Sequence, residues 1–325
     1  MNATILGANG AIGRAAVEAL AERGHRVRAV SRRLAVLQAK FGHIAAAELS
    51  EGDINDETTL RRAVAGADAV LHAVGVPYTV EGFRRFPVQT RRVVDACRVA
   101  NVTSLLVISN EYPYGRPQTH PVSELHPISP VGPKGAARAE QEQVVFAAHN
   151  PRGLHTAVLR LPTFFGRGAE RVSYLGQAAI AISGHRPAPV LAPVDIAHEW
   201  LVVPDAGEVV ARIFERGICD GKAYNMAGSG MYTPRRLVEE LSRAAGAPTK
   251  LRIMPRWAQT AIGWAIPMLR ELKEVRYLLE VGLALDETRL ATALGGPVHH
   301  TPIDEACAAW IADLRRGSAK SQQAA

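Results

Sequence analysis

The stretch "TILGANGAIGRAAVEAL", residues 4–20, decides the fold of this 325-residue chain. It places three glycines between a short apolar run, typical of a strand, and an amphipathic run, typical of a helix. Such a turn lets a backbone without side chains approach a pyrophosphate and aims the amides of a helix N-terminus at its charge. The motif therefore predicts a dinucleotide-binding turn contacted through Gly7, Asn9, Gly10, Ala11, Ile12 and Gly13.

The rest of the chain repeats this alternation of short apolar runs and amphipathic stretches. Strand-like runs begin near residues 2, 26, 45, 69, 104 and 155, with helix-like stretches between them. The alternation predicts right-handed crossovers, a parallel sheet with helices on both faces, and a binding crevice at the carboxyl ends of the strands. Further on, Gly- and Pro-rich segments precede helix-like stretches near 234–246, 257–281 and 303–315.

The predicted fold is α/β, a Rossmann-type doubly wound parallel sheet with a smaller C-terminal substrate lobe. Residues 1–165, with returning segments near 190–230, form the predicted dinucleotide-binding domain. Residues 166–315 form mainly the substrate-binding lobe. The small polar residues 316–325 are expected to be a flexible tail.

Composition and charge exclude several classes of function. Hydrophobic residues make up 47% and charged residues 21%, which is typical of globular proteins. The net charge of +7 is spread over arginine pairs instead of basic blocks with aromatics, so no nucleic-acid partner is predicted. No basic leader precedes the first strand, and no apolar run approaches the roughly 20 residues that span a bilayer. Three scattered cysteines predict neither a disulfide framework nor a metal site, and they favour the cytoplasm.

The segment "VSRRL", residues 30–34, favours NADP over NAD. An NAD-binding unit would hold an acidic residue here against the ribose, whereas this chain has Ser31, Arg32 and Arg33. Guanidinium groups suit a 2′-phosphate, although both arginines could instead be solvated at the start of a helix. In "EGDIND", residues 51–56, Asp53 and Ile54 are expected at the adenine edge, unless Asp53 caps the next helix.

Landmarks over residues 2–310 resemble the extended short-chain dehydrogenase/reductase superfamily, in particular NAD(P)-dependent epimerase/dehydratase-like proteins. The matching segments are "GANGAIG", "GDIND", "AVLHAVG", "LLVISNEYPYG", Lys134, "LRLPTFFG" and "AYNMAGSGMYTPRRLVEEL". The resemblance implies a nicotinamide across the ends of strands four to six. It places beside the cofactor His72, Ala73, Val74, Gly75, Ser109, Lys134 and Pro162.

The resemblance breaks at the residues that carry chemistry. The family uses a serine near the end of strand five, and a tyrosine three residues before a lysine that lowers the phenol pKa and binds ribose. Here the lysine is Lys134, but Pro130 stands at the tyrosine position and Asn110 at the serine position. Phe86 stands where an assisting asparagine is expected. A proline cannot transfer a proton.

Three functional hypotheses follow. In the first, the chain is an NAD(P)-dependent oxidoreductase or epimerase/dehydratase-like enzyme acting on a carbonyl or alcohol, with Tyr112 as a relocated acid beside Asn110 and Lys134. The chain resembles a subgroup of this superfamily that has "Asn-x-Tyr-x-Tyr-Gly" after strand five and "Lys-Gly-x-x-Arg" in place of the usual tyrosine and lysine. The segment "NEYPYG" matches the first pattern, and Lys134, Gly135 and Arg138 match the second. In the second, the chain is a catalytically degenerate NADP-binding redox sensor. In the third, it is a structural protein that holds the dinucleotide for stability.

The substrate is expected to be a small molecule, with nucleotide sugars among the candidates. The predicted substrate contacts are Tyr114, Arg138, Phe164, Phe165 and Trp200, with Tyr174 and His198 as further lining. Tyr114 could instead pack the loop after strand five. Arg138, Arg167 and Arg171 are candidates for an anionic group or for ordinary packing.

A homodimer is also expected, because the resemblance implies pairing of the helices near 88–100 and 134–149. Their apolar candidates for the interface are Val93, Val94, Cys97, Val144, Val145 and Phe146.

Overall fold

A seven-stranded parallel sheet forms the centre of the protein, which a computed structural model describes over residues 1–262 and 271–323. Its strands are β1 (Asn2–Leu6), β2 (Arg26–Ser31), β3 (Ala47–Glu51), β4 (Ala69–His72), β5 (Ser104–Asn110), β6 (His155–Leu161) and β11 (Ala223–Asn225). They lie in the order β11-β6-β5-β4-β1-β2-β3, in which the winding direction changes between β1 and β4. The predicted Rossmann-type sheet is confirmed.

Helices cover both faces of this sheet and build the C-terminal region. They are α1 (Ala11–Glu22), α2 (Leu34–Phe41), α3 (Glu57–Val64), α4 (Val80–Phe83), α5 (Arg85–Val99), α6 (Pro133–Ala148), α7 (Gly176–Ser183), α8 (Val203–Arg216), α9 (Pro234–Ala244), α10 (Arg256–Ile262), α11 (Arg276–Val281), α12 (Thr288–Leu294) and α13 (Ile303–Gln323). A short 3-10 helix, Tyr112–Tyr114, follows β5.

The period-two alternation of the strands separates the two faces. On β1, Ile5 joins a hydrophobic core with α1, α2 and α8, whereas the next residue, Leu6, joins a core with α3, α5 and α6. Because successive side chains of a strand point to opposite faces, an apolar run without alternation produces two cores. This explains why β4, β5 and β6 are mostly apolar, whereas β3, at the edge of the sheet, is not.

Short strand pairs and a third hydrophobic core build the C-terminal region. The pairs are β7 (Phe164–Phe165) with β10 (Leu201–Val202), β8 (Ala188–Leu191) with β13 (Leu251–Met254), and β9 (His198–Glu199) with β12 (Met231–Tyr232). The third core surrounds Trp200 and Trp310. The division of the chain into domains at residue 165 stays a prediction.

Two helix predictions differ from the structure. The single helix expected over 257–281 is seen as α10 and α11 with a turn before Arg276, while residues 263–270 lie outside the described residues. The last helix, expected to end near 315, continues to Gln323 through most of the residues predicted to be a flexible tail.

The helices predicted to pair across a dimer axis, α5 and α6, pack against each other within the chain. Val93, Val94, Cys97 and Val145 are buried in the core beneath them and so do not face outward. The outer surface instead carries an exposed ion pair between Arg91 and Glu140, 2.7 Å apart. The homodimer stays a prediction without these residues as its interface.

Candidate active site

The carboxyl ends of β1, β4, β5 and β6 meet at one edge of the sheet. Leu6 at the end of β1 lies beside His72 at the end of β4, and Asn110 at the end of β5 lies beside Leu161 at the end of β6. Almost all the residues predicted to contact a cofactor follow directly after these strands or after β2 and β3. We call the side of this edge toward β3 the adenine end and the side toward β6 the nicotinamide end, after the cofactor halves that the sequence analysis predicts there.

The three glycines of the turn serve different purposes. Gly7 has φ +89°, and a Cβ there would lie 2.7 Å from the Ala73 carbonyl oxygen. A Cβ on Gly13 would lie 2.3 Å from the Gly7 carbonyl oxygen, because α1 packs tightly on the turn. At Gly10 the nearest atom is that same oxygen at 3.3 Å, and the residue is exposed at the start of α1. The fold requires Gly7 and Gly13, whereas Gly10 keeps the approach to the helix N-terminus open, as a pyrophosphate requires.

Cations lie around this turn. Arg32 and Arg33 are exposed after β2, and within the described parts of the chain neither has a carboxylate partner. The Ser31 hydroxyl accepts a hydrogen bond from the Arg33 amide (3.3 Å). Lys40 on α2, missed by the sequence analysis, donates its Nζ to the Asn9 carbonyl (2.9 Å), and burial lowers its pKa. Only the packing of α2 beside the turn reveals Lys40, because no motif contains it.

The structure shows that Asp53 does not cap the helix that follows it. Asp56 caps α3, since its Oδ1 accepts from the Thr59 amide at 2.9 Å. Asp53 instead accepts from both the amide and the side-chain nitrogen of Asn55, each at 2.9 Å. The Ile54 side chain is buried among the helices of one face. A role for either residue at an adenine ring stays a prediction.

Two predicted site residues, Ser109 and Tyr114, belong to a buried network of hydrogen bonds. Ser109 donates its hydroxyl to Glu142 (2.6 Å), whose carboxylate also binds Arg160 (2.5 Å). Arg160 donates to the Tyr114 hydroxyl (2.6 Å), which donates to Asn225 (2.7 Å). Ser109 and Tyr114 therefore use their hydroxyls inside the protein, which agrees with the reading of Tyr114 as a residue that packs the loop.

The side chain of Tyr112 lies between β5 and the segment after β4. Its hydroxyl is 3.0 Å from the Tyr78 hydroxyl, and its amide donates to Asn110 Oδ1 (3.2 Å). Burial, followed by the neighbouring Tyr78 and Glu111, raises the pKa of Tyr112 well above its usual value. The structure thus brings Asn110 and Tyr112 together and keeps this phenol protonated.

The position of Pro130 is explained by Gly135. A Cβ on Gly135 would lie 2.8 Å from both the Pro130 Cβ and the Tyr112 carbonyl oxygen. The absence of a side chain on α6 therefore admits the proline loop into contact with the turn after β5. Arg138, on the same helix, stacks on Phe86 (3.6 Å to the ring centre) and donates to the Ile108 carbonyl (3.1 Å). Burial lowers the pKa of Arg138 to about 10.

The ammonium group of Lys134 is bonded to glutamates and not to the Tyr112 hydroxyl. It lies over the Tyr78 ring, 5.3 Å from the centre, and makes an ion pair with Glu271 (2.6 Å) and another with Glu274 (3.2 Å). Nearby, His72 is buried, and burial followed by the charge of Arg138 lowers its pKa to about 3. Its Nε2 has no hydrogen-bond partner among the described residues. This end of the edge therefore contains a neutral histidine and a fully paired lysine.

A small cavity, about 20 Å³ in volume, contains two carboxyl groups that the sequence analysis did not single out, together with His198, which it predicted as a lining residue. It is lined by Glu111, Pro162, Thr163, His198, Glu199, Leu278, Leu279 and Leu283. Burial raises the pKa of Glu111 and of Glu199 to about 7 each and lowers that of His198 to about 4. Glu111 stands inside the motif "SNEYPYG", so its position directly after a buried strand was the available signal.

Other predicted substrate contacts lie away from this cavity. Phe165 and Trp200 are fully buried in the third core, and Trp200 donates its indole N–H to the Tyr232 carbonyl (2.8 Å). Phe164 is half-buried against the first core. Arg167 pairs with Glu18 (2.9 Å) and Asp313 (3.5 Å) instead of facing the cavity. These substrate contacts stay predictions.

Comparison with models of protein families identifies the family of this chain. The model of the NAD dependent epimerase/dehydratase family matches residues 3–227. The chain belongs to this family. The family assignment supports an NAD(P)-dependent enzyme of the oxidoreductase type and a nicotinamide cofactor.

Among curated members, a 2-alkyl-3-oxoalkanoate reductase of Stenotrophomonas maltophilia is 30% identical over 271 residues, 76% of this chain and 77% of the reductase. A UDP-glucose 4-epimerase of Azospirillum brasilense is 32% identical over 143 residues, 41% of this chain. That match covers only 40% of the epimerase.

Among solved structures, the dTDP-glucose 4,6-dehydratase of Streptomyces venezuelae with NAD bound has a TM-score of 0.79 at 19% identity, over 98% of both chains. UDP-glucose 4-epimerase of Thermotoga maritima with UDP-glucose has a TM-score of 0.80 at 17% identity, over 98% of this chain and 100% of the epimerase. These similarities show the fold.

Two further findings concern only the described residues. No helix among them has both the length and the apolar character needed to cross a membrane. Nor do they contain a group of three or more His, Cys, Asp or Glu side chains placed to hold a metal ion.

Proposed function

We propose that the protein is an NADP-dependent oxidoreductase that exchanges a hydride with a carbonyl or alcohol carbon of a small molecule. The observation that carries this proposal is that the open glycine turn follows β1 and the buried acid Glu111 follows β5, so both lie at the carboxyl-end edge of the same sheet. A bound nicotinamide would supply the hydride chemistry. The turn around Gly10 would hold the pyrophosphate through the amides at the start of α1.

The preference for NADP rests on the two exposed arginines after β2. Arg32 and Arg33 are exposed directly after β2, and a 2′-phosphate on the adenine ribose would gain bidentate hydrogen bonds from either. An acidic residue, which favours the unphosphorylated ribose, is absent from positions 31–33. Lys40, held at the Asn9 carbonyl, adds positive charge to the same end.

The proton can come from two groups at the nicotinamide end. Tyr112 keeps its proton and is held by Tyr78, so its hydroxyl can donate to a carbonyl oxygen. Its raised pKa makes it a weak acid, and the proton passes only to the strongly basic alkoxide that hydride addition forms. Asn110 accepts from the Tyr112 amide through Oδ1, so its Nδ2 can donate to a substrate oxygen. Glu111, whose pKa is raised to about 7 by burial, is a second acid near neutral pH.

The charges at the cavity favour a neutral, apolar substrate over a nucleotide sugar. Glu111 and Glu199 face the cavity beside Leu278 and Leu283, so a diphosphate there would meet carboxyl groups instead of a cationic fork. Arg138, the predicted anion contact, is stacked on Phe86 and bonded to a carbonyl. The relative named 2-alkyl-3-oxoalkanoate reductase supports a ketone with an alkyl chain, whereas the epimerase and dehydratase relatives support a sugar.

A specific observation also favours the second candidate, an NADP-binding redox sensor without turnover. Pro130 replaces the tyrosine, and Lys134 is fully engaged by two glutamates, so the pair that normally works together is missing here. A sensor needs only binding and a conformational response, which these residues do not prevent.

A substrate panel distinguishes the two functions. NADPH consumption is followed spectroscopically with 2-alkyl-3-oxoalkanoates and simple alkyl ketones in one arm. In the other arm, product formation from UDP- and dTDP-sugars is followed by chromatography with the oxidised and the reduced cofactor, because epimerisation and dehydration return the hydride to the substrate without net consumption of the cofactor. We expect turnover with the alkyl ketones. Turnover confined to nucleotide sugars contradicts the substrate class, and tight NADPH binding without turnover in either arm supports the sensor.

A further inference from the structure

The hydrogen-bonding capacity of Lys134 is completely used within the protein. Its side chain is 1% exposed, and Nζ donates to the Glu271 carbonyl oxygen (2.9 Å), to Glu271 Oε2 (2.6 Å) and to Glu274 Oε2 (3.2 Å). An ammonium group has three N–H donors. No donor is therefore left for a ribose hydroxyl, which is the contact that the family resemblance implies for this lysine.

The two glutamates belong to a segment that we name the strap, residues 271–285. The strap also binds the starts of two helices at the nicotinamide end. Glu271 Oε2 accepts from the Val80 amide at the start of α4 (3.1 Å), and Glu274 Oε1 accepts from the Lys134 amide in the first turn of α6 (2.5 Å). Both amides belong to first-turn N–H groups that lack partners inside their own helix. The same carboxylates therefore hold the lysine and connect α4 to α6.

The rest of the strap closes the cavity. Leu278 and Leu283 line the cavity together with Glu111. The Leu285 amide donates to Glu199 Oε2 (2.9 Å), and the Val122 amide donates to the Ala284 carbonyl (2.8 Å). The strap thus runs from the paired lysine, across the cavity, to the loop that contains Val122. Release of Glu271 and Glu274 would free the first part of this cover.

We propose that Glu271 and Glu274 form a latch on Lys134 that keeps the strap closed over the nicotinamide end, and that the nicotinamide half of the cofactor must displace this latch to bind. The inference rests on the proposed function, because it assumes that a dinucleotide occupies the edge of the sheet. A buried ammonium cannot lose its carboxylates without new partners, since an unpaired buried charge is strongly unfavourable. The latch therefore opens when ribose hydroxyls and water replace the carboxylates.

The latch affects the two halves of a dinucleotide differently. The adenine half binds at the glycine turn and at Arg32 and Arg33. None of the strap's hydrogen bonds described above involves these residues. The nicotinamide half binds only to the open form. If that form is about 10% populated, the apparent dissociation constant of the whole dinucleotide is weakened about tenfold, while that of an adenine-side fragment is unchanged.

Titration calorimetry on the double variant Glu271→Gln/Glu274→Gln tests this difference. The ligands are NADPH and its adenine-side fragment 2′,5′-ADP, with NADH and ADP as a second pair. Glutamine keeps the size of the side chain and removes the charge that holds the ammonium. We expect the variant to bind the dinucleotide about tenfold more tightly and the fragment with the wild-type affinity. Equal shifts for both ligands, or no shift for either, would overturn the latch.

The matched control is Glu280→Gln. Glu280 lies on the same strap and pairs with Arg276 (3.1 Å) and Arg256 (3.4 Å), away from Lys134. It loses the same charge per substitution, so we expect wild-type affinity for every ligand. A dinucleotide affinity raised as much by Glu280→Gln as by the double variant would assign the effect to general destabilisation of the strap and reject the latch.

Hydrogen exchange on the wild-type protein provides a test that does not depend on folding of a variant. We expect the amides of the strap, including Leu278, Gly282 and Leu285, to lose protection when NADPH binds and to keep it with 2′,5′-ADP. Unchanged protection with bound NADPH overturns the latch while the proposed function stands. If neither the dinucleotide nor the fragment binds, the proposed function fails, and the latch fails with it.

Discussion

The adenine end and the nicotinamide end of the crevice differ in how much of their bonding capacity is already used. At the adenine end, Gly10 leaves the helix N-terminus open, and Arg32 and Arg33 are exposed without carboxylate partners among the described residues. At the nicotinamide end, Ser109 and Lys134 are bonded to glutamates. A motif residue can therefore be present in sequence and still have no group free for a ligand.

The substitution with the largest expected effect is Gly10→Val, which would block cofactor binding at the adenine end. Gly10→Val should abolish detectable binding of NADPH, because its side chain would occupy the approach to the amides at the start of α1. Titration calorimetry measures binding, and circular dichroism checks folding. Gly296→Val is the control, since Gly296 has open space around it and lies far from the turn in sequence. Retained NADPH affinity in a folded Gly10→Val protein would place the pyrophosphate elsewhere.

At the nicotinamide end, Tyr112→Phe should reduce turnover of a ketone substrate by about 10² to 10⁴, the usual contribution of a positioned acid, with little change in NADPH affinity. Tyr78→Phe is a matched control because both variants lose the same hydrogen bond between the two hydroxyls. Tyr112→Phe should lose more activity than Tyr78→Phe, because only Tyr112→Phe removes the proposed proton as well as the bond. Wild-type activity in Tyr112→Phe would contradict Tyr112 as the donor. Glu111→Gln measured in the same assay then tests the second acid.

The burial of Glu111 at the nicotinamide end predicts how the free energy of unfolding changes with pH. Burial raises the pKa of Glu111 from 4.5 to about 7, so the folded protein holds a proton that the unfolded chain has released between these pH values. The wild type therefore loses stability from this group as pH rises through the window. Relative to wild type, Glu111→Gln should gain up to about 3 kcal/mol of unfolding free energy over the same rise.

Urea unfolding on either side of that window provides the measurement. Glu140→Gln, at an exposed ion pair with Arg91, should show a difference from wild type that does not change with pH in this window. A flat difference for Glu111→Gln as well would show that the cavity is solvated.

The smallest expected effect concerns the choice between NADPH and NADH at the adenine end. Replacing Arg32 and Arg33 together by alanine should reduce the preference for NADPH over NADH by about 2 kcal/mol, or about thirtyfold, because charge-assisted hydrogen bonds to a phosphate are lost. NADH affinity should stay nearly constant, which serves as the internal control. If the preference persists in the double variant, Lys40 becomes the residue to test next.

Much of the fold could be predicted from the sequence because its signals are local. The strand over 155–161 and the start of the helix at Pro234 follow from apolar periodicity and from a proline after Thr233, whose hydroxyl accepts from the Arg236 amide. The glycine turn was equally legible, because positive φ at Gly7 and close backbone approach are properties of one short segment. The extension of the last helix to Gln323 was missed, since its polar residues carry no core-facing pattern.

The sequence by itself determined the parallel sheet, the dinucleotide turn, the arginines beside it and the loss of the usual tyrosine at Pro130. Only the tertiary structure decided which side chains have bonding capacity left. Lys134 meets Glu271 and Glu274 across more than 130 residues of chain, and Ser109 meets Glu142 through the packing of α6 on β5. The physical reason is that a hydrogen-bond donor is satisfied by whatever folding places within about 3 Å of it, and no local pattern encodes such a distant partner.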